Sequence, residues 1–404
     1  MVFAVVTEPI LIFQGKSSLV SMFLIGYMLM IMPMYQLEKI TPKDYIRAFN
    51  FKGLGYLLID FSAQHYFDRG FLWMYENDLL RSYIPRSIAA ETMKIGRAIF
   101  SQEENFVRFE KGFREVIAES ESYLKTSRQK TVVTINDVCD LKAIVQKLYY
   151  YFEKTEFFFT DGCFENTDAL LEKNMLVLGD DLKMKSRPLL VELLTTCLYH
   201  YADLAAAQHG TNVEDVKFYS IKQLIRLLEQ GTLAPDTIIR ARQHSYLIYS
   251  ENGRGYELDG IDKKLVLGRF AEPDYSNMTE CGGTIANRGK VTARARVILP
   301  EYGKSYEDFV KSVHLMEMPQ GTILVTETTS PEFVPLMKKA GGIIANQGGL
   351  NSHAAIMSRE LGVPCLVATH HATDIIRDGD LIELDATNGK ITVLKRAAKY
   401  TSHL

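Results

Sequence analysis

Between about Thr41 and Ala207 apolar residues recur at three- and four-residue spacing, and this period predicts helices. Residues 77–101, 106–123 and 141–159 all carry it. Ser186-Arg187-Pro188 precedes a further apolar run, 189–207, with proline where the first turn of a helix tolerates it. Glycine is sparse here, and the alternation expected of strands is nearly absent. Between about Asn212 and Gly260 the texture changes. Ser220 opens the amphipathic segment IKQLIRLLEQ, Gly231 closes it, and Pro235-Asp236 starts another helix. The segment SYLIYSENGRGYEL reads as a hairpin turning at Glu251-Asn252-Gly253. A stretch containing Gly260, Gly268 and Pro273 reads as a linker.

From about Glu280 the pattern becomes α/β. Strands are expected at 294–299 and 322–327, and Ser330-Pro331-Glu332 opens a helix that Gly341-Gly342 ends. A strand at 343–346 leads through a glycine turn into a helix at 353–361, closed by Gly362 with Pro364 following. A strand at 365–369 and a hairpin at 380–395, with Asn388-Gly389 at a type I′ turn, complete the pattern. The expected fold class is a mostly helical N-terminal body followed by a C-terminal α/β domain. The expected divisions are a helical domain at 1–210, a connector and linker at 211–275, the α/β domain at 276–396 and a tail at 397–404.

Composition narrows the function classes. At about 150 residues per domain, 404 residues suggest two or three domains. With 47% hydrophobic and 24% charged residues, wholesale disorder and a polytopic membrane protein are excluded. A net charge of −3 supplies no global field for nucleic acid, so no nucleic-acid partner is expected. Cys139, Cys163, Cys197, Cys281 and Cys365 are scattered, odd in number and never paired as CxxC, which fits a reducing, cytoplasmic setting. Residues 17–37 carry no charge, and about 20 such residues suffice to span a bilayer. Two readings stand: an N-terminal membrane anchor, or a buried helix, which Gly26, Pro33 and the weak flanking charge favour. The aromatic run YYYFEKTEFFF holds one basic residue, Lys154, and suits a bundle core better than a base-stacking platform.

The segment GGLNSHAAIMSRELGVPCLV, residues 348–367, carries the chemistry. Gly348 and Gly349 let the backbone turn sharply and approach a ligand. The helix that follows offers unpaired N–H groups and a partial positive charge, a ready anion site. His353 stands at its start, with Asn351 and Ser352 supplying donors beside it. An imidazole so placed can attack phosphorus and leave the phosphoryl group on the helix end. The alternative is a histidine in a tight strand–helix connection. His65, His200, His209, His244 and His314 show no metal-ligand spacing, and His370-His371 lacks a second ligand set, so no metal site is expected. Arg288, Lys290, Arg294 and Arg296 form a candidate basic face, although a strand points alternate residues to opposite sides.

This segment resembles the phosphohistidine swivelling, or mobile, domain of phosphoenolpyruvate-utilising enzymes, as in phosphoenolpyruvate synthase, pyruvate phosphate dikinase and rifampin phosphotransferase. The matching positions are Gly348, Gly349, Ser352, His353, Ala355, Ser358, Arg359, Glu360, Gly362 and Pro364. Thr329-Ser330-Pro331-Glu332-Phe333 resembles the helix that precedes the histidine loop, and the stretch from Gly283 resembles the domain's opening strand. Asn351 replaces the usual threonine, and Ala293 a common glycine. The resemblance implies that His353 carries the phosphoryl group and that Gly348, Gly349, Asn351 and Ser352 bind it. Arg359 and Glu360 either fix the helix or meet a partner domain. It further implies a phosphotransferase enzyme with no cofactor bound by this chain directly. Mg-ATP or phosphoenolpyruvate would donate at a separate ATP-grasp partner, and a small molecule would accept. Neither an ATP-grasp module nor a phosphoenolpyruvate-binding barrel is expected in the chain. A non-catalytic binding or regulatory protein that keeps the fold is the alternative.

Overall fold

The computed structural model describes residues 40–397 except 53, 66–68, 77, 157–168, 252–253, 272, 300–305 and 351. The apolar run 17–37 and the expected tail beyond Ala397 lie outside the described residues. Among the described residues no helix is long and apolar enough to cross a membrane.

The N-terminal region is mostly helical, as its period predicts. The helices Glu103–Ser127 and Ile135–Glu156 pack together, and the helical stretch 169–209 lies against both. Phe106, Phe109, Phe113 and Ile117 lie on one face of the first, while Leu141, Val145, Leu148 and Phe152 line the second. Burying each such side chain stabilises the fold by about 1.5–3 kcal/mol. The stretch 169–209 departs from regular α geometry twice, in π segments at Leu178–Lys183 and Leu193–Cys197. Between them the helix Met184–Glu192 holds Pro188. Gly210, at φ +64°, closes the stretch.

One part of the body is not helical. β1 (Tyr45–Lys52), β2 (Arg69–Glu76) and β3 (Leu79–Pro85) join the hairpin β4 (Ser245–Glu251) and β5 (Arg254–Glu257) in an antiparallel sheet ordered β1-β3-β2-β4-β5. Within the stretch 77–101, read as helical, Leu79–Pro85 form a strand and only Arg86–Phe100 a helix. The reason is burial on both faces. Trp73, Tyr75 and Ile248 face the main core, while Leu72, Met74, Leu247 and Tyr249 face a second one. A strand covered on both sides shows no alternation. The cover on the second side is the helix Gly260–Arg269, which packs through Val266 and occupies a stretch expected to be a linker.

The C-terminal α/β region contains β6 (Glu280–Gly282), β7 (Thr284–Asn287), β8 (Lys290–Ile298), β9 (Ile323–Thr326), β10 (Gly342–Ala345), β11 (Cys365–Val367), β12 (Leu381–Asp385) and β13 (Lys390–Lys395). Their order is β6-β13-β12-β8-β9-β10-β11-β7, with β8, β9, β10 and β11 parallel. The two outermost strands, β6 and β7, are consecutive in the chain and joined by Gly283 alone. The sheet therefore curls until its edges meet and forms a near-closed eight-stranded barrel. This corrects the expectation of a chain without a barrel. Local patterns do not reveal the closure, because it depends on β6 and β7, neighbours in the chain, standing at opposite edges of the sheet.

Gly283 sits where the barrel turns its corner. A Cβ there would lie 2.6 Å from Thr369 Cγ2 and 2.7 Å from the Val367 carbonyl oxygen. Gly283→Ala should lower stability by about 1–3 kcal/mol through overpacking, read as a lower midpoint in thermal melting. An unchanged melt would show that the corner has room. The hairpin β12–β13 also differs from expectation. Its turn spans 386–389, and Gly389 alone of those residues takes a positive φ, +72°. Asp385 Oδ1 accepts from the N–H groups of Thr387 and Asn388 at 3.2 and 3.0 Å, so a side-chain turn replaces the two-residue type I′ geometry.

Candidate functional site

The site grows from the carboxyl end of the parallel strands. After β10 the chain turns at Gly348, whose φ is +100°, and a Cβ there would lie 2.7 Å from Ser352 Cβ. Glycine is thus required at this position for both conformation and space. The Ser352 N–H donates to the Gly349 carbonyl at 3.0 Å and tightens the loop. Ser352 then caps the helix His353–Leu361, its Oγ accepting from the Ala355 N–H at 3.4 Å, and Gly362 at φ +68° ends it. Ala354, Ala355 and Ser358 bury the inner face of this helix, while Ile356, Arg359 and Glu360 lie on its exposed face. Ser352→Ala should cost about 1 kcal/mol, measurable in urea unfolding; no change would mean that the cap contributes nothing here.

His353 is the first residue of that helix and is half-buried. Its Nδ1 lies 3.0 Å from Thr329 Oγ1. Burial holds the imidazole below the ordinary histidine range; nearby Glu332 opposes this, Arg187 reinforces it and Glu360 opposes it weakly. A half-buried imidazole of this kind is neutral at neutral pH, with Nδ1 anchored by the Thr329 hydroxyl.

The structure gathers Gly348, Gly349, Ser352 and His353 into one loop and helix start. Asn351 lies outside the described residues. Arg359 reaches back from the helix and donates to the carbonyls of Leu350 at 2.9 Å and Ala286 at 3.4 Å, tying the glycine loop to β7. Glu360 is exposed beside it. The candidate basic face is drawn into local pairs. Lys290 meets Glu383 at 2.9 Å, Arg296 meets Asp378 at 2.6 Å, and Arg294 donates to the Gly379 carbonyl.

Two features escaped the sequence reading. Thr329 stood out only as part of a Thr-Ser-Pro segment, and nothing local pairs it with a histidine 24 positions later. The other is a buried polar cluster under the same loop. Asn346 Nδ2 donates to Glu327 Oε1 at 2.7 Å and to Thr373 Oγ1 at 2.6 Å. Its Oδ1 accepts from Thr369 Oγ1 and from the Ala372 N–H.

A glycine turn, a capped helix and a threonine-anchored histidine on a swivelling-type α/β domain define the class of site. Residues 318–389 match the family model "PEP-utilising enzyme, mobile domain". The chain is 43% identical over 83 residues to a probable phosphoenolpyruvate synthase of Methanothermobacter thermautotrophicus, which covers 20% of this chain and 12% of that protein. It is 39% identical over 176 residues to a probable phosphoenolpyruvate synthase of Archaeoglobus fulgidus, covering 42% of this chain and 22% of the relative. An uncharacterised phosphotransferase of Bacillus subtilis, YvkC, is 33% identical over 132 residues, with 33% of this chain and 15% of the relative covered. The chain thus spans a small fraction of the length of each of these curated relatives.

Proposed function

We propose that this chain is a phosphotransferase component that carries a phosphoryl group on His353. The observation behind this reading is the pairing of Thr329 with His353 Nδ1 at a helix start, which leaves Nε2 as the nucleophile. In the forward step the Nε2 lone pair forms the N–P bond while a P–O bond of the donor breaks. The electron pair leaves with the donor's oxygen, and the hydrogen stays on Nδ1, which donates it to Thr329 Oγ1. In the second step an acceptor oxygen displaces Nε2 from phosphorus. Negative charge on the transferring oxygens would be met at the helix start, with Gly348, Gly349, Asn351 and Ser352 as the residues that bind the group.

The donor in this reading is Mg-ATP or phosphoenolpyruvate, held at a separate ATP-grasp partner, and the acceptor is a small molecule bound against the helical body. The names of the relatives support a phosphoenolpyruvate-type donor chemistry. Residues 276–396 would move as one domain relative to the helical domain 1–210 and the connector 211–275. With residues 260–269 helical, the hinge falls within 270–279. The test is to incubate the protein with labelled ATP or phosphoenolpyruvate, alone and with a candidate ATP-grasp protein. Acid-labile, base-stable label is the expected result, and no label under any pairing would overturn the proposal.

A further inference from the structure

An arginine fork clasps the C-terminal region to the body. Arg47, on β1, pairs with Asp374 at 3.0 Å and also donates to the His370 carbonyl. The paired residues lie 327 positions apart in the chain. Both side chains are largely withdrawn from water, at 11% and 21% exposure. A charge pair so placed is screened little by salt, and removing one member strands the other. Burial would raise the Asp374 carboxyl, but hydrogen bonding from His371 and the charge of Arg47 hold it below the ordinary range. The pair is therefore ionic at neutral pH.

What Arg47 grips is well fastened inside the C-terminal region. Asn346 Oδ1 accepts from Thr369 Oγ1 and from the Ala372 N–H, and its backbone carbonyl accepts from the His370 N–H at 3.1 Å. Asn346 follows β10 and stands just before the glycine turn of the histidine loop. The turn that Arg47 holds thus belongs to the same frame as His353. The Asp374 carboxylate also reaches towards the hinge. His371 Nδ1 lies 3.4 Å from Asp374 Oδ2, and the His371 ring stacks on Tyr275 with centroids 4.7 Å apart. Tyr275 lies within 270–279, where the hinge falls. Asp374 therefore links the body, the C-terminal domain and the hinge segment.

We propose that Arg47 is a latch: its pairing with Asp374 and the His370 carbonyl holds the C-terminal domain docked on the body, and its release frees the domain to swing. This rests on the proposed domain motion and not on the chemistry at His353. In the docked state Arg47 and Asp374 meet each other, and in the swung state each meets water. The docking equilibrium is thereby set at one pair.

Small-angle X-ray scattering of the full chain reads docking, with circular dichroism to confirm that each variant is folded. Arg47→Ala should shift the equilibrium towards the open state by at least about tenfold, seen as a larger radius of gyration. Asp374→Asn should act in the same direction. The double variant should open little further than Arg47→Ala alone, because both substitutions remove the same contact. Arg47→Lys keeps the charge but not the fork, and should fall between wild type and Arg47→Ala. Equal radii in wild type and all folded variants overturn the latch and leave the phosphohistidine reading intact. Fully additive opening in the double variant also overturns it, since the two side chains would then not act as a pair. If Arg47→Ala fails to fold, Arg47→Lys and Asp374→Asn decide against wild type in the same way. Opening in the variants, with no label on His353 in the labelling experiment, supports the latch and overturns the phosphohistidine reading alone.

Discussion

His353→Ala and His353→Gln should each lower acid-labile phosphoryl incorporation by at least about 10³-fold, to the background of the assay. A carboxamide or methyl group has no lone-pair nitrogen to attack phosphorus, and among the described residues no other histidine shares the helix start or the Thr329 contact. The pH dependence follows from the protonation state. Only the neutral imidazole attacks, so labelling should be flat at high pH and fall about tenfold per unit below the imidazole midpoint. Burial and Arg187 hold that midpoint below the ordinary histidine range, which keeps the reaction active further into acid than a surface histidine would allow. Thr329→Val keeps shape and removes the hydroxyl that fixes the ring. It should reduce the labelling rate by about 10–100-fold, as loss of an orienting contact does, without removing the site. Full labelling of His353→Gln, with the label mapped to another residue, would sink the assignment.

The site was legible where its determinants are local. The glycine turn, the serine cap and the histidine at a helix start lie within a few residues, and each acts on its immediate neighbours. The position of Gly348 at positive φ and the closure by Gly362 follow from the same short-range rules. Thr329, Asn346 and Glu327 were not legible as a site because strand order brings them together. Parallel pairing of β9 with β10 sets Thr326 opposite Ala345, and the residues that follow each strand end up side by side. In the body, the hairpin β4–β5 was legible from its turn, but β1, β2 and β3 were missed because burial on both faces erases the period that distinguishes a strand. In the barrel, closure depends on Gly283 joining two edges whose pairing partners lie about a hundred residues further on.

Asn346→Ala should destabilise the protein by about 3–5 kcal/mol, the largest loss expected from any single polar substitution in the C-terminal region. The side chain is 1% exposed and ties three pieces of chain together. Its amide donates to Glu327 after β9 and to Thr373, while its carbonyl accepts from Thr369 and from the Ala372 N–H at 2.8 Å. Those last residues follow a turn in which Ala368 and His370 adopt φ of +51° and +62°, values that non-glycine residues hold only under constraint. Truncation leaves the Ala372 N–H without its acceptor. It also leaves the Glu327 carboxyl, whose Oε2 has no hydrogen-bond partner, held by Thr373 alone. Buried groups stripped of partners cost far more than the bond that was lost, because water cannot replace it. Asn346→Asp should be no rescue, since it sets a second carboxylate against Glu327 in a buried space. Thr373→Val, which removes one hydroxyl and keeps the amide, should cost only about 1–2 kcal/mol. Urea unfolding of the full chain followed by circular dichroism separates the three. If Asn346→Ala unfolds at the wild-type midpoint, the cluster does not hold the turn, and the Arg47 contact to the His370 carbonyl would have to position it instead.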